Sequence, residues 1–161
     1  MNIATGVKGI SRNLSAFLYL IGYSELGSMV DLPSQGYDVI VGSTPSKLIL
    51  MKDYAEHPNV YVKAHNSTAA GRYQILNRYA VAYKNSLKLP DFGPASQDKI
   101  AIQLIRECKA LDDVEKGNIE SAIVKCNSRW ASFPGAGYGQ NENKLSDLVR
   151  KFKEAVEYGD L

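Results

Sequence analysis

Apolar residues recur at helical spacing early in the chain, and the stripe they make ends on an acid. Leu14, Phe17, Leu18 and Ile21 are followed by Glu25, so a helix over residues 11–26 stacks all five on one face. Ser11 is its expected N-cap and Gly27 its stop. Residues 1–9, small, polar and glycine-containing, read as a mobile lead-in. Residues 29–36 contain Pro33 and Gly36 and read as loop. The pattern then changes from helical to β-branched. Tyr37-Asp38-Val39-Ile40-Val41, bounded by Gly36 and Gly42, has a strand signature, with weaker strand candidates at 47–51 and 59–63. A small antiparallel sheet with long loops is expected over residues 36–66.

Beyond Ala70 the spacing is helical again. Helices are expected over 72–87, with Tyr73, Leu76, Tyr79, Ala80, Tyr83 and Leu87 on one face, and from Pro94 to about residue 110. Residues 112–117 form a turn or short helix, and Asn118 caps a helix carrying Ile119, Ala122, Ile123, Cys126 and Trp130. The glycine-rich run 133–139 interrupts, and a last helix spans about 143–158. Strands segregated from helices make the fold class α+β, mainly helical, in one domain over residues 1–161.

Bulk properties narrow the function by exclusion. A chain of 161 residues, 45% hydrophobic and 22% charged, is long enough to bury one proper core. A net charge of +2 supplies no field that dictates a nucleic-acid partner. The apolar run 17–22 is too short to span a bilayer, and no small-residue cleavage site follows it, so neither membrane insertion nor export by a signal peptide is expected. Cys108 and Cys126 fall in helical patterns and read as buried thiols rather than a disulfide framework.

The chemistry-bearing residues leave few choices. His57 and His65, with Asp53 and Glu56 nearby, lack the tight ligand pair that a catalytic zinc uses, so no metal is expected and a zinc amidase or peptidase is a weak alternative. There is no Gly-x-Ser-x-Gly elbow, and Gln140 stands where a dinucleotide fingerprint needs its third glycine. No cofactor is expected. Gln74 offers both a donor and an acceptor to sugar hydroxyl and N-acetyl groups, or else is an exposed helix residue. Tyr138, flanked by glycines, is either a stacking face for a sugar ring or part of a plain connector. Glu25 has two features that disfavour its charged form, an apolar stripe and a helix C-terminus. A carboxyl kept protonated near neutrality is what a general acid for glycosidic cleavage requires.

Four strings, in order, resemble the lambda endolysin family of lytic transglycosylases: Gly36-Tyr37-Asp38-Val39-Ile40-Val41-Gly42, Ala70-Gly71-Arg72-Tyr73-Gln74 with Ser67-Thr68 before it, Ser96-Gln97-Asp98 with Asp91-Phe92 and Pro94 before it, and Trp130-Ala131-Ser132 followed by residues 134–140. The resemblance runs from about residue 14 to 155. It departs in a longer N-terminus and in residues 43–66, which match only in fragments. It implies a lysozyme-like fold whose small sheet forms one side of a cleft. It also implies cleavage of the bond between N-acetylmuramic acid and N-acetylglucosamine in peptidoglycan, without water, to a 1,6-anhydro product and host lysis. Ser24-Glu25 falls on the family's Ser-Glu pair. Glu25 is then the catalytic acid, with Ser24, Asp38, Tyr73, Gln74 and Tyr138 as substrate-binding candidates. The enzyme would be a monomer held in the host cytoplasm until a phage holin opens the membrane, and would then act in the periplasm on the wall. Two other readings stay open. One is a hydrolytic muramidase using Asp31 or Asp38 as second carboxylate; the other is a wall-binding lysis protein without activity.

Overall fold

The computed structural model describes residues 1–135 and 142–161. Six α-helices carry the fold among them: α1 Arg12–Leu26, α2 Asn77–Ser86, α3 Pro94–Glu107, α4 Leu111–Lys116, α5 Ile119–Cys126 and α6 Leu145–Tyr158. Helix α1 is the axis. Every residue from 14 to 22 is buried, on all sides rather than along the single stripe that spacing suggests. A helix apolar all round belongs inside a core, and α1 packs against α4, α6 and the 3-10 turn Gly27–Asp31. Its ends are closed as expected. The Ser11 hydroxyl accepts from the Leu14 N–H at 3.0 Å, and the Gly27 N–H returns to the Tyr23 carbonyl. Phe17 and Phe133 stack with ring centroids 6.1 Å apart, which draws the segment after α5 onto α1.

Several sequence expectations are corrected here. The region 36–66 pairs like a sheet but never builds a strand among the described residues. Residues 38–41 hydrogen-bond to 49–51 on one side and to 69–71 on the other, through Ile40 N–H to Ile49 O (2.8 Å), Met51 N–H to Asp38 O (2.8 Å) and Gly71 N–H to Val39 O (2.8 Å). The pairings are isolated bridges, Val39 to Leu50 and Ile40 to Ala70 among them. The β-branched run is only five residues long, and the backbone turns through positive φ at both Gly36 and Gly42, so the ladder stops after a rung on each side. The fold is mainly helical, and this lobe is a set of braced loops.

The lead-in is docked, not mobile. Ile3 is wholly buried, and its N–H reaches the Asp160 carbonyl at 2.8 Å. The anchor is Asp98 of α3. One carboxylate oxygen accepts from the N–H groups of Gly6 (2.7 Å) and Val7 (3.1 Å); the other accepts from the hydroxyls of Tyr37 (2.7 Å) and Tyr73 (2.5 Å). Arg72, also wholly buried, donates to the Tyr37 hydroxyl at 3.2 Å and lies over its ring at 5.1 Å. Burial raises the Asp98 carboxyl, and the two tyrosine hydroxyls work against that rise.

The helix expected over 72–87 begins later, at Asn77. Residues 70–75 form a tight reversal in which Ala70 and Ile75 exchange hydrogen bonds (3.1 and 2.9 Å), with Gly71 and Gln74 at positive φ. Gly71 is required twice over, since a Cβ there would lie 2.3 Å from the Gln97 side-chain oxygen. Trp130 sits just beyond the end of α5, not on it.

The structure predicts that Asp98→Ala, which leaves the buried Tyr37 and Tyr73 hydroxyls and the Gly6 and Val7 N–H groups without their acceptor, lowers stability by about 3–5 kcal/mol. Urea unfolding measures this, and a loss under about 1 kcal/mol would show that the carboxylate is not the anchor.

Candidate active site

Glu25 lies in the last turn of α1, half-buried, and one hydrogen bond touches its carboxyl among the described residues: the Ser132 hydroxyl donates to Oε1 at 3.2 Å. Burial pushes this carboxyl from an ordinary value of 4.5 up to about 7, and the Ser132 hydroxyl opposes the rise by favouring the anion. Among the described residues, no neighbouring charge contributes. Such an acid is protonated below neutrality and able to take a proton back, which is the range a general acid–base needs.

Behind Glu25 lies a small polar network. Ser24 and Ser132 hydroxyls are 2.7 Å apart, and Asn143 Nδ2 donates to the Ser24 hydroxyl (2.9 Å) and to the Ser24 carbonyl (3.1 Å). The Asn143 N–H donates to the Ser132 carbonyl at 2.9 Å. Three segments meet here: the end of α1, the turn after Trp130, and the residues leading into α6. Asn143 and Ser132 stand 107 or more positions from Ser24 and Glu25, so no local spacing marks them. The one available signal for Ser132 is its place in the Trp130-Ala131-Ser132 string.

The other candidates separate. Ser24 is buried and committed to Ser132 and Asn143, so it holds the acid's surroundings rather than facing a substrate. Tyr73 is wholly buried, with its hydroxyl on Asp98 and its carbonyl accepting from Trp130 Nε1 at 3.1 Å. It is a core residue, because the reversal at 70–75 turns its ring inward. Gln74 is half-buried, and its side-chain amide donates to the carbonyls of Gly71 (2.8 Å) and Val39 (3.1 Å), holding the reversal against the loop lobe. It also lines a cavity of about 370 Å³ with Tyr79, Arg129 and Trp130. Glu25 is not on that cavity's wall. Asp38 is half-buried, with Oδ1 enclosed and without a partner among the described residues. The Asp31 carboxylate is occupied by the Tyr19 hydroxyl at 3.1 and 3.2 Å. Tyr138 lies outside the described residues.

His57 does not face a ligand. Its Nε2 meets the Ile75 carbonyl at 2.8 Å and its Nδ1 accepts from the Asn59 N–H at 3.0 Å, while His65 is exposed.

A helical fold with one half-buried acid at the end of its central helix defines a lysozyme-like protein. The family model described as Endolysin matches residues 15–158, and the chain belongs to the endolysin family. It is 46% identical over 153 residues to the endolysin of Escherichia phage P2, covering 89% of this chain and 93% of that one. It is 44% identical over 151 residues to the endolysin of Escherichia phage lambda, covering 91% and 92%. Among solved structures, bacteriophage lambda lysozyme complexed with a chitohexasaccharide superposes with a TM-score of 0.84 at 42% identity, over 96% of this chain and 99% of that one. A second lambda lysozyme structure gives 0.79 at the same identity and coverage.

The raised Glu25 carboxyl has a consequence for stability. Its folded pKa lies above its unfolded one, so its contribution is fully present below about 4.5 and is lost as pH rises through about 7. Glu25→Gln lacks that loss. Relative to the parent it gains about 1–3 kcal/mol between pH 4.5 and pH 8, read by thermal unfolding at the two pH values. An equal difference at both would mean that Glu25 ionises as an ordinary carboxylate.

Proposed function

We propose that this chain is a phage endolysin that cleaves peptidoglycan as a lytic transglycosylase, with Glu25 acting first as acid and then as base. The observation that carries the reading is the isolation of Glu25: among the described residues, burial and one serine hydroxyl are the influences on it, and no second carboxylate bears on its charge. A retaining hydrolase needs a carboxylate nucleophile about 5–5.5 Å from its acid, close enough to repel it, and an inverting one needs a base about 6.5–9.5 Å away. Asp31 is a poor candidate for either because Tyr19 occupies it.

One acid suffices if the substrate supplies the nucleophile. Protonated Glu25 donates to the glycosidic oxygen, which leaves as the 4-hydroxyl of N-acetylglucosamine. The N-acetyl oxygen of the muramic residue stabilises the cation left at C1. Glu25, now a carboxylate, takes the proton from the C6 hydroxyl as that oxygen closes on C1 to form the 1,6-anhydro ring. Glu25 ends protonated and no water is consumed. The chitohexasaccharide held by lambda lysozyme supports a glycan strand as the ligand here. The same reading carries the expectation of a monomer that accumulates in the host cytoplasm and reaches the wall after a holin lesion.

One observation favours a second reading. Asp38 is half-buried and its Oδ1 has no hydrogen-bond partner among the described residues, so this carboxylate is not committed elsewhere as Asp31 is, which favours it as the second carboxylate of a hydrolase. Digestion of purified peptidoglycan separates the two, since transglycosylase products are lighter than hydrolytic ones by one water. Anhydro-ended fragments are expected, and reducing-end fragments alone would establish the muramidase. Glu25→Gln is expected to slow clearing of wall suspensions by roughly 10²–10⁴-fold. Undiminished clearing would remove Glu25 from the mechanism.

A further inference from the structure

Asn143 points its side-chain amide at two backbone carbonyls. Nδ2 lies 3.1 Å from Ser24 O and 3.4 Å from Ser132 O. Carbonyls only accept, so the atom facing them must be the donating nitrogen, and the amide has one admissible orientation. The other end of the line is fixed by Glu25: a carboxylate oxygen only accepts, so with Glu25 charged the Ser132 hydroxyl donates to Oε1 at 3.2 Å. With its one proton used there, Ser132 only accepts in the 2.7 Å contact, so Ser24 donates to it, while the Ser24 oxygen receives from Nδ2 at 2.9 Å. The amide at one end and the carboxylate at the other thus give the line a single direction in the charged state.

We propose that Asn143, Ser24 and Ser132 form a one-way hydrogen-bond relay that keeps Glu25 Oε1 an acceptor and so assigns the exchangeable proton to Oε2. The inference rests on the reading of Glu25 as the catalytic acid. Ser132, Ser24 and Asn143 are positioning residues, since they act through Glu25. The relay matters to an acid that must also serve as base. Oε1 accepts whether Glu25 is charged or neutral, so the proton leaves and returns at one oxygen and the carboxyl need not turn over between the two half-steps. It also limits how far burial can raise the acid, because a donated hydroxyl favours the anion. The nearby charges are engaged elsewhere. Arg129 pairs with Glu107 at 3.2 Å, Lys151 stands over the Tyr23 ring and against Glu154, and Lys144 is exposed beside Asn143.

The test is the pH dependence of kcat/KM on soluble glycan fragments, with circular dichroism confirming that each variant folds. The parent loses activity as Glu25 ionises on the alkaline side. Ser132→Ala removes a hydrogen bond to a charged group and should move that limb upward by about one pH unit, and Ser132→Thr, which restores the hydroxyl, should bring it back. Asn143→Ala does not touch Glu25, but it frees Ser24 and lets the Ser132 hydroxyl turn away. It should therefore move the limb in the same direction, and Ser132→Ala/Asn143→Ala should move it no further than Ser132→Ala alone. Ser24→Ala gives a smaller upward shift and reads the same link if Asn143→Ala does not fold. A limb that stays at the parent position in both Asn143→Ala and Ser24→Ala, with only kcat reduced, would overturn the relay and leave Ser132 acting alone. Retained activity in Glu25→Gln would instead sink the assignment of the acid.

Discussion

The burial of α1 on every side is the constraint from which the rest of the molecule follows. A helix with no solvent face must be enclosed, and here α4, α6, the 3-10 turn at 27–31 and the Phe133 ring do the enclosing. The enclosure fails in the last turn, where Gly27 ends the helix and is exposed. Glu25 sits at that margin, deep enough for burial to hold its proton near neutrality and close enough to the surface to exchange it. The acid's chemistry is a consequence of where the core stops.

A second buried group performs the matching job for the loop lobe. Asp98 collects the N-terminal segment, Tyr37 and Tyr73 onto α3, while Gln97 donates to the carbonyls of Tyr37 and Phe92 and accepts from the Arg72 N–H. Residues 36–75 have no ladder of their own to stiffen them, so these side-chain bonds replace a sheet. Trp130, donating to the Tyr73 carbonyl, ties that lobe to the segment carrying Ser132. Rigid support for the acid therefore comes through polar contacts between distant parts of the chain, which is how a site assembled from several loops keeps its geometry.

Much of this was legible in the sequence, and the rest was hidden for physical reasons. The helices at α1, α3, α5 and α6 follow from spacing, Ser11 and Pro94, and Glu25 from its place at the end of an apolar run. Periodicity could not tell a one-sided stripe from a helix buried all round, because Tyr19 and Leu20 fill the remaining faces. The β-branched run at 37–41 carried a true pairing signal, but its length and bounding glycines permit only single rungs. Tyr73 sits at helical spacing with Leu76 and Tyr83, yet Gly71 begins a reversal that spacing does not register. The polar groups around Glu25 were the least visible, since Ser24, Ser132 and Asn143 meet only in three dimensions. Family strings, rather than patterning, carried the expectation that Glu25 is catalytic.

The central claim is that one carboxyl, raised by burial and steadied by a serine, performs both proton transfers. The most direct measurement is a carbon-13 NMR titration of the glutamate carboxyls, with the Glu25 resonance identified by its loss in Glu25→Gln. The account predicts a midpoint near 7 for that resonance. A midpoint in the ordinary carboxylate range, near 4.5, would contradict it.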